Sequence, residues 1–223
     1  MLDERYMERR KRVEGMFTVE KLKPDSIRVE LSPSGKYQLE IRTYTTGEKT
    51  WDYTRGIVTK IEESKPIADV KRNYHHFWHA WFQHPNGNEY LLCGEDYQGY
   101  SVVNLTTREY HCYFPEDAYR GAGFCWASAY PSPDGLALVV DGCYWACPYE
   151  LVLYDLSNPD ALPLPEIKRM ADACMYDSDG WDDNNTFRYV REIDGDDDAE
   201  PVSEPGYFLR NEPSTAKEET NAG

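Results

Sequence analysis

Residues 132–156 decide the fold, and they read S-P-D-G-L-A-L-V-V-D-G-C-Y-W-A-C-P-Y-E-L-V-L-Y-D-L. A Pro-Asp-Gly turn precedes the apolar run at 136–140, and a loop separates that run from a second one at 151–156. Short apolar runs bounded by turn residues are typical of buried β-strands. This stretch therefore predicts two adjacent strands joined by a loop.

The turn recurs along the chain. S-P-S-G ends at Gly35, H-P-N-G at Gly87 and S-P-D-G at Gly135, and a proline-free relative, D-S-D-G, ends at Gly180. The spacings between these glycines are 52, 48 and 45 residues. A unit that recurs at nearly constant length indicates a repeat architecture.

The second and third repeats also match outside the turn. With a shift of 48 residues, Trp78 falls on Trp126 and Phe82 on Tyr130, and the apolar triplets after the two turns coincide. Each unit then reads as an aromatic strand, the turn, an apolar strand, a loop and a second apolar strand ending in Asn/Asp-Leu. After residue 20 the chain offers helical patterning only at 165–172, so we expect an all-β fold.

The run S-P-D-G-L-A-L-V-V followed by L-V-L-Y-D-L resembles a blade of the WD40-like or TolB-like β-propellers. In those families the turn joins the innermost strand to the second, and Asp-Leu closes the third. The resemblance covers residues 77–160 well, 26–63 weakly and 174–210 in outline, and it implies a β-propeller-like fold with about four blade repeats of 45–52 residues. A partial propeller completed by a second chain and a β-sandwich with repeated hairpins are the alternatives. The motif concerns fold and says almost nothing about activity.

The repeats predict three parts in the chain. Residues 1–14 are a charged segment that could form a short helix, residues 15–210 form one all-β domain, and residues 211–223 form a polar, disordered tail. In the fourth repeat we expect an inner strand around Ala173–Asp177 and no outermost strand. The segment Gly15–Leu22 could supply that missing strand and close the ring.

Composition limits the classes of function. The 223 residues carry 24 basic and 40 acidic side chains, a formal net charge of −16, and 14% of them are aromatic. This negative charge argues against general binding to nucleic acid or to anionic membranes, which requires basic patches. The sequence begins without the apolar region of a secretory signal, so we expect a cytoplasmic protein whose six cysteines are mostly buried free thiols.

Loops of the predicted propeller supply the candidate binding site. In a blade repeat, the loops between second and third strands share one face with the linkers between blades. We expect four aromatic anchors for a partner on that face, with three charged residues that orient it. The anchors are Tyr97, Tyr119, Tyr144 and Trp145, and the charged residues are Asp96, Arg120 and Asp141. The alternative is that these aromatic side chains pack between blades.

Histidines and cysteines give weaker indications of chemistry. Four histidines lie within ten residues of one another, at His75, His76, His79 and His84. Structural zinc would require cysteine pairs at ligand spacing nearby, so capping and core hydrogen bonds fit these histidines better. Cys143 and Cys147 fit two small buried thiols at the base of a hairpin loop, which oxidation would staple.

Two acidic runs, at 177–183 and 194–198, resemble calcium loops in composition. Neither has the residue order of an EF-hand, so we interpret both as solvated turns and expect no cofactor. The chain also contains no nucleophile elbow, phosphate-binding loop, zinc-protease helix or dinucleotide-binding turn. The sequence therefore favours a non-catalytic protein.

Three hypotheses about function follow, and the oligomeric state stays open in all of them. The first is a scaffold that binds a protein or peptide on the loop-bearing face of a small propeller. The second is an acidic inhibitor or immunity-type partner of a basic protein, whose association would be fast and sensitive to salt. The third is a hydrolase or lyase with its site in the central channel.

Overall fold

A computed structural model describes residues 4–145, 149–173, 176–193 and 202–211. Within these ranges the chain is all-β, with fifteen strands in four separate antiparallel sheets, one α-helix and three short 3-10 helices. Each sheet is a meander in which consecutive strands are hydrogen-bonded neighbours. The prediction of an all-β fold is confirmed.

The first two sheets take up the chain to residue 113. Sheet I consists of β1 (Arg28–Leu31), β2 (Tyr37–Thr45), β3 (Asp52–Lys60) and β4 (Pro66–Arg72). Sheet II consists of β5 (His79–Gln83), β6 (Glu89–Glu95), β7 (Gly99–Asn104) and β8 (Glu109–Tyr113). The N-terminal segment contains α1 (Glu4–Glu14), which buries Tyr6 and Val13.

The second pair of sheets follows a 3-10 helix at Glu116–Arg120. Sheet III consists of β9 (Cys125–Pro131), β10 (Ala137–Cys143), β11 (Tyr149–Asp155) and β12 (Glu166–Ala173). Sheet IV has three strands, β13 (Tyr176–Trp181), β14 (Thr186–Ile193) and β15 (Val202–Leu209). Cys147, the acidic run at 194–198 and residues 212–223 of the tail lie outside the described residues.

The repeated turns have one geometry in the first three sheets. Gly35, Gly87 and Gly135 have φ angles of 70°, 88° and 69°, and each amide donates to the carbonyl three residues earlier. A left-handed φ favours glycine because it carries no Cβ, which explains why glycine recurs at this point. His84 supports the second turn, since its Nδ1 accepts a hydrogen bond from the Asn86 amide at 3.1 Å.

The fourth repeat departs from the predicted pattern. Gly180 lies inside β13, next to a register shift in the pairing with β14, and the hairpin turns at residues 182–185 instead. In this repeat the aspartates and asparagines that follow Trp181 form the turn, so a match to D-S-D-G alone placed it too early. Ala173, which was expected to begin the inner strand, is instead the last residue of β12 in sheet III, and the described inner strand is β13 (Tyr176–Trp181).

The segment Gly15–Leu22 does not complete sheet IV. It contains a 3-10 helix at Val19–Lys21, and Leu22 forms an isolated bridge with Tyr44 of β2. The next residue, Lys23, donates its amide to the Thr43 carbonyl at 2.9 Å. These residues extend the edge of sheet I where β1 no longer covers β2, so the predicted strand exchange with the fourth repeat is wrong.

Three hydrophobic clusters hold the sheets together in series. One joins sheets I and II, one joins II and III, and one joins III and IV. The two tryptophans that coincide in the repeat alignment, Trp78 and Trp126, stack with ring centroids 5.6 Å apart between sheets II and III. Among the described residues, none of these clusters joins sheet IV to sheet I. Among the described residues, no helix is long and apolar enough to cross a membrane.

Candidate functional site

Aromatic side chains from four connections meet at one end of the sheets. Trp51 precedes β3, Tyr74 lies between β4 and β5, Tyr97 lies between β6 and β7, and Trp145 follows β10. Tyr97 stacks on Trp145 with centroids 4.7 Å apart and planes at 12°, and it meets Tyr74 edge-on at 5.0 Å. Trp51 lies 5.4 Å from Tyr74 and 6.1 Å from Tyr97. We call these four residues the aromatic cluster.

Backbone contacts fix the two tryptophans while leaving their rings accessible. The indole nitrogen of Trp51 donates to the Asn73 carbonyl at 2.5 Å, and that of Trp145 donates to the Gly121 carbonyl at 2.7 Å. Trp51 is nevertheless 51% exposed and Trp145 49% exposed. Trp145 also has a φ of 73°, a conformation that bulky residues rarely adopt and that is concentrated at functional sites.

A groove of about 390 Å³ separates the aromatic cluster from α1. Trp51, Tyr97 and Trp145 form one wall, and Arg9 and Arg12 of the helix contribute to the other. The Nε of Arg9 donates to the buried carboxylate of Asp96 at 2.5 Å, whereas Arg12 is exposed and forms no ion pair with the residues described. The groove therefore combines exposed aromatic rings with a basic wall.

A buried carboxylate holds α1 in place. Glu95, at the end of β6, accepts hydrogen bonds from the Tyr6 hydroxyl at 2.7 Å, from Ser101 at 2.7 Å and from Tyr110. Arg10 of the helix pairs with the same carboxylate at 3.2 Å. Burial, together with the Glu95 charge, raises the pKa of Tyr6, so this hydroxyl stays protonated and continues to donate.

A second concavity, with a volume of about 610 Å³, lies beside the aromatic cluster. We call it the central cavity. Sheets I, III and IV line it together with the linker before β5, and Tyr74 belongs to both the cavity and the aromatic cluster. The remaining aromatic lining is provided by Trp126 and Tyr149.

Asp141 is the buried carboxylate of the central cavity. It is 9% exposed and lies at a register shift between β10 and β9, where Asp141 pairs with Ser128 and Gly142 with Trp126. Burial raises its pKa to about 6, with a further contribution from the charge of Asp177, while a 3.3 Å hydrogen bond from Ser178 to Oδ2 opposes the shift. Its Oδ1 is buried without a hydrogen-bond partner among the residues described.

Arg72 connects the central cavity to the aromatic cluster. Its Nη1 donates to the Asp96 carbonyl at 2.6 Å and its Nε to the His76 carbonyl at 2.8 Å. Burial lowers its pKa to about 10, which still leaves the guanidinium charged at neutral pH. Gly94 leaves room for it, since a Cβ at that position would clash with the guanidinium. Arg72 therefore fixes the loop that carries Tyr97.

The structure brings together only part of the predicted site. Tyr97 and Trp145 are in contact, and Asp96 lies beneath them against Arg9. Asp141 lies in the central cavity, and the exposed Tyr144 packs near Phe124 at 5.4 Å.

The other two predicted residues lie toward the start of α1. Tyr119 packs on Phe114 at 5.1 Å, and the guanidinium of Arg5 lies 4.3 Å above its ring. Arg120 is exposed and pairs with Asp117 at 3.2 Å. Neither residue contributes to the aromatic cluster.

Sequence reasoning missed Trp51, Tyr74 and the helix residue Arg9 as site residues. Trp51 alternates with Tyr53 as a strand residue would, but β3 begins one residue later, at Asp52, so Trp51 lies in the loop before it. Tyr74 lies in the linker between β4 and β5, one of the linkers between repeats. The signal available for both was their position in loops of consecutive repeats.

No protein-family model matches the chain. The chain is similar to an uncharacterized protein of Acanthamoeba polyphaga mimivirus, with 40% identity over 143 residues. The match covers 64% of this chain and 55% of the viral protein, so the chain spans about half the length of that relative.

Two solved structures are similar in part. A puromycin-hydrolyzing peptidase of Mycobacterium tuberculosis is 15% identical, with a TM-score of 0.44 over 82% of this chain and 27% of the peptidase. Hsv2 of Kluyveromyces lactis is 12% identical, with a TM-score of 0.37 over 80% of this chain and 59% of Hsv2. Both scores are too low to carry an argument.

One group of side chains has the donor types of a metal site. Single ligand atoms of Glu109, His111 and Asp160 lie within 4.8 Å of one another. Glu109 and His111 share a face of β8, and Asp160 belongs to the connection between β11 and β12. This group lies at the end of sheet II opposite to the aromatic cluster, and Glu109 is exposed to solvent.

Proposed function

We propose that this chain is a non-catalytic scaffold that binds a protein or peptide on the loop-bearing face of a small propeller-like fold. The observation that carries the proposal is the stack of Tyr97 on Trp145 beside the half-exposed Trp51. Tyrosine and tryptophan dominate binding hot spots because they bury a large area at a small cost in side-chain entropy. The aromatic cluster and the groove beside it are the binding surface in this proposal.

The propeller-like interpretation rests on how the sheets are arranged. Four meanders follow one another, and each packs on the next through an apolar cluster, as blades of a propeller do. The first strands of two sheets also approach each other, because His79 of β5 contacts Glu30 of β1 at 3.0 Å. Two layers of a sandwich would instead place larger sheets face to face. These features favour a partial or four-bladed propeller over a sandwich.

Loss of either exposed tryptophan is expected to weaken partner binding. Peptides enriched on the wild-type protein from a random display library would be synthesised, and their affinities measured by fluorescence polarisation. We expect Trp51→Ala and Trp145→Ala each to raise the Kd about tenfold or more, since a buried aromatic anchor contributes well over 1 kcal/mol. Both variants should unfold near the wild-type temperature, because the rings are half exposed.

The matched control is Tyr207→Ala. Tyr207 is 56% exposed in β15, outside the aromatic cluster, so its replacement should leave the Kd unchanged. Peptides that bind all three variants as tightly as wild type would contradict the proposal, as would a library that yields no binder. The inhibitor and hydrolase or lyase hypotheses remain predictions from the sequence alone.

A further inference from the structure

The central cavity holds two carboxylates, Asp141 and Asp177, that form no ion pair with any lysine or arginine whose side chain the structure describes. Asp141 accepts one hydrogen bond, from Ser178, and its Oδ1 accepts none. Asp177 lines the same cavity, and in the described part of the chain no lysine or arginine pairs with either group. Asp177 is exposed, whereas the Asp141 carboxylate is withdrawn from water without a cation. Such burial is destabilising, so the cavity favours a positively charged partner from outside the chain.

Three basic residues line the cavity, Arg72, His75 and His76, and none of them contacts Asp141 or Asp177 through a hydrogen bond or an ion pair. Arg72 directs two of its donor nitrogens to backbone carbonyls, at 2.6 and 2.8 Å, and its guanidinium lies over the rings of Tyr74 and Trp78. Burial lowers the pKa of His76, and the Arg72 charge lowers it further, so that imidazole is neutral at pH 7. Among the described residues, the charge of Arg72 is therefore directed to backbone carbonyls and aromatic rings and not to the two carboxylates.

The aromatic lining defines the kind of cation that fits. Tyr74, Trp126 and Tyr149 line the cavity next to the carboxylates. Organic ammonium and guanidinium groups are recognised by this combination of side chains. Carboxylates accept their hydrogen bonds, and aromatic faces make cation–π contacts with them. A hydrated inorganic ion would instead favour a shell of oxygen ligands.

We propose that the central cavity binds an organic cation, a primary ammonium or guanidinium group, which pairs with the carboxylate of Asp141. Asp177 contributes a second negative charge, and Tyr74 and Trp126 face the carbon atoms next to the cationic group. The cation has two natural sources, a free amine or a lysine or arginine side chain of a bound peptide. The inference rests on the cavity itself and does not require that the aromatic cluster binds a peptide.

Small probes test the cavity without any peptide. Binding of n-butylammonium and n-butylguanidinium would be followed by Trp fluorescence and by NMR at pH 7.5, with n-butanol as the uncharged probe. We expect saturable binding of at least one cation, none of the alcohol, and about a tenfold or larger rise in Kd in Asp141→Asn. Asp177→Asn should raise the Kd by a smaller factor.

The matched control is Asp25→Asn, which makes the same change in net charge at an exposed position in the 3-10 helix Pro24–Ser26. It should bind the probes as wild type does. Equal affinity of wild type and Asp141→Asn, equal binding of butanol, or displacement of the probes by millimolar calcium or sodium would each overturn the proposal. The unfolding temperature of each variant shows whether its fold is intact.

Competition then separates the two sources of the cation. A peptide enriched on the protein would be compared with the same peptide in which norleucine replaces each lysine and arginine. If the original peptide displaces n-butylammonium and the norleucine peptide does not, the cation is a side chain of the partner. If peptide and probe bind together, the cavity takes a free amine. If the protein binds the probes but does not bind peptides through Trp145, the proposed function is contradicted and the inference about the cavity stands.

Discussion

Replacing Arg10 by methionine is expected to lower the free energy of unfolding by about 3–5 kcal/mol, because it leaves the charge of Glu95 buried without a cation. Glu95 is 1% exposed, and the Arg10 side chain is 13% exposed. Arg10 also donates to the Lys71 carbonyl at 2.5 Å, so the substitution removes a second contact of α1. The three hydroxyl groups that remain on Glu95 cannot replace a positive charge. Urea denaturation at pH 7, followed by circular dichroism, measures the effect.

Two further variants separate the charge effect from loss of packing. Arg5→Met lies on the same helix and breaks an exposed pair with Glu116, so it should cost less than about 1 kcal/mol. Combining Arg10→Met with Glu95→Gln removes the buried charge along with its partner and should restore much of the lost stability. If the double variant is no more stable than Arg10→Met alone, the destabilisation does not arise from an unpaired carboxylate.

Asp141→Asn is expected to stabilise the protein at pH 8 by as much as about 3 kcal/mol. Burial raises the pKa of Asp141 from its ordinary value of 3.8 to about 6. Between these pH values the folded state binds more protons than the unfolded state, so the stability of the wild type falls as the pH rises through that interval. Above pH 7 the full cost of the ionised carboxylate is present, and below pH 4 it is absent.

The pH profile distinguishes this cause from a change in packing. Unfolding free energies of wild type and Asp141→Asn should converge at pH 4 and diverge up to about pH 7, because asparagine does not titrate. Asp25→Asn should run parallel to the wild type throughout. A stability gain that is the same at pH 4 and pH 8 would show that the ionisation of Asp141 is not responsible. A carboxylate that reduces stability in this way is typical of residues kept for function.

Local sequence signals predicted the parts of the fold that local chemistry determines. The turn glycines at 35, 87 and 135 and the aligned pair Trp78 and Trp126 occupy the same structural positions in successive sheets. The turn of the fourth repeat was not predicted correctly because turn-forming residues occur twice, at Gly180 and again after Trp181. Only strand pairing decides between the two positions.

The candidate site was less predictable because it depends on long-range contacts. The stack of Tyr97 on Trp145 requires that sheets II and III be packed together, and the pair formed by Arg9 and Asp96 joins residues 87 positions apart. The burial of Asp141 depends on a register shift at that residue, which strict alternation along a strand does not reveal. Sequence patterns therefore indicated which face carries the loops, but not which loop residues meet.

The serial order of the three apolar clusters has a consequence for cooperativity. Sheets I and II share a cluster and are also bridged by α1, whose Arg10 contacts Lys71 in one sheet and Glu95 in the other. Among the described residues, sheet IV takes part in one apolar cluster, which it shares with sheet III. A sheet that shares an apolar cluster with one neighbour alone has less packing to lose, so we expect sheet IV to open at a lower free energy than the whole chain unfolds. Asp177 belongs to sheet IV. A ligand held between sheets III and IV would therefore also couple the unfolding of these two sheets.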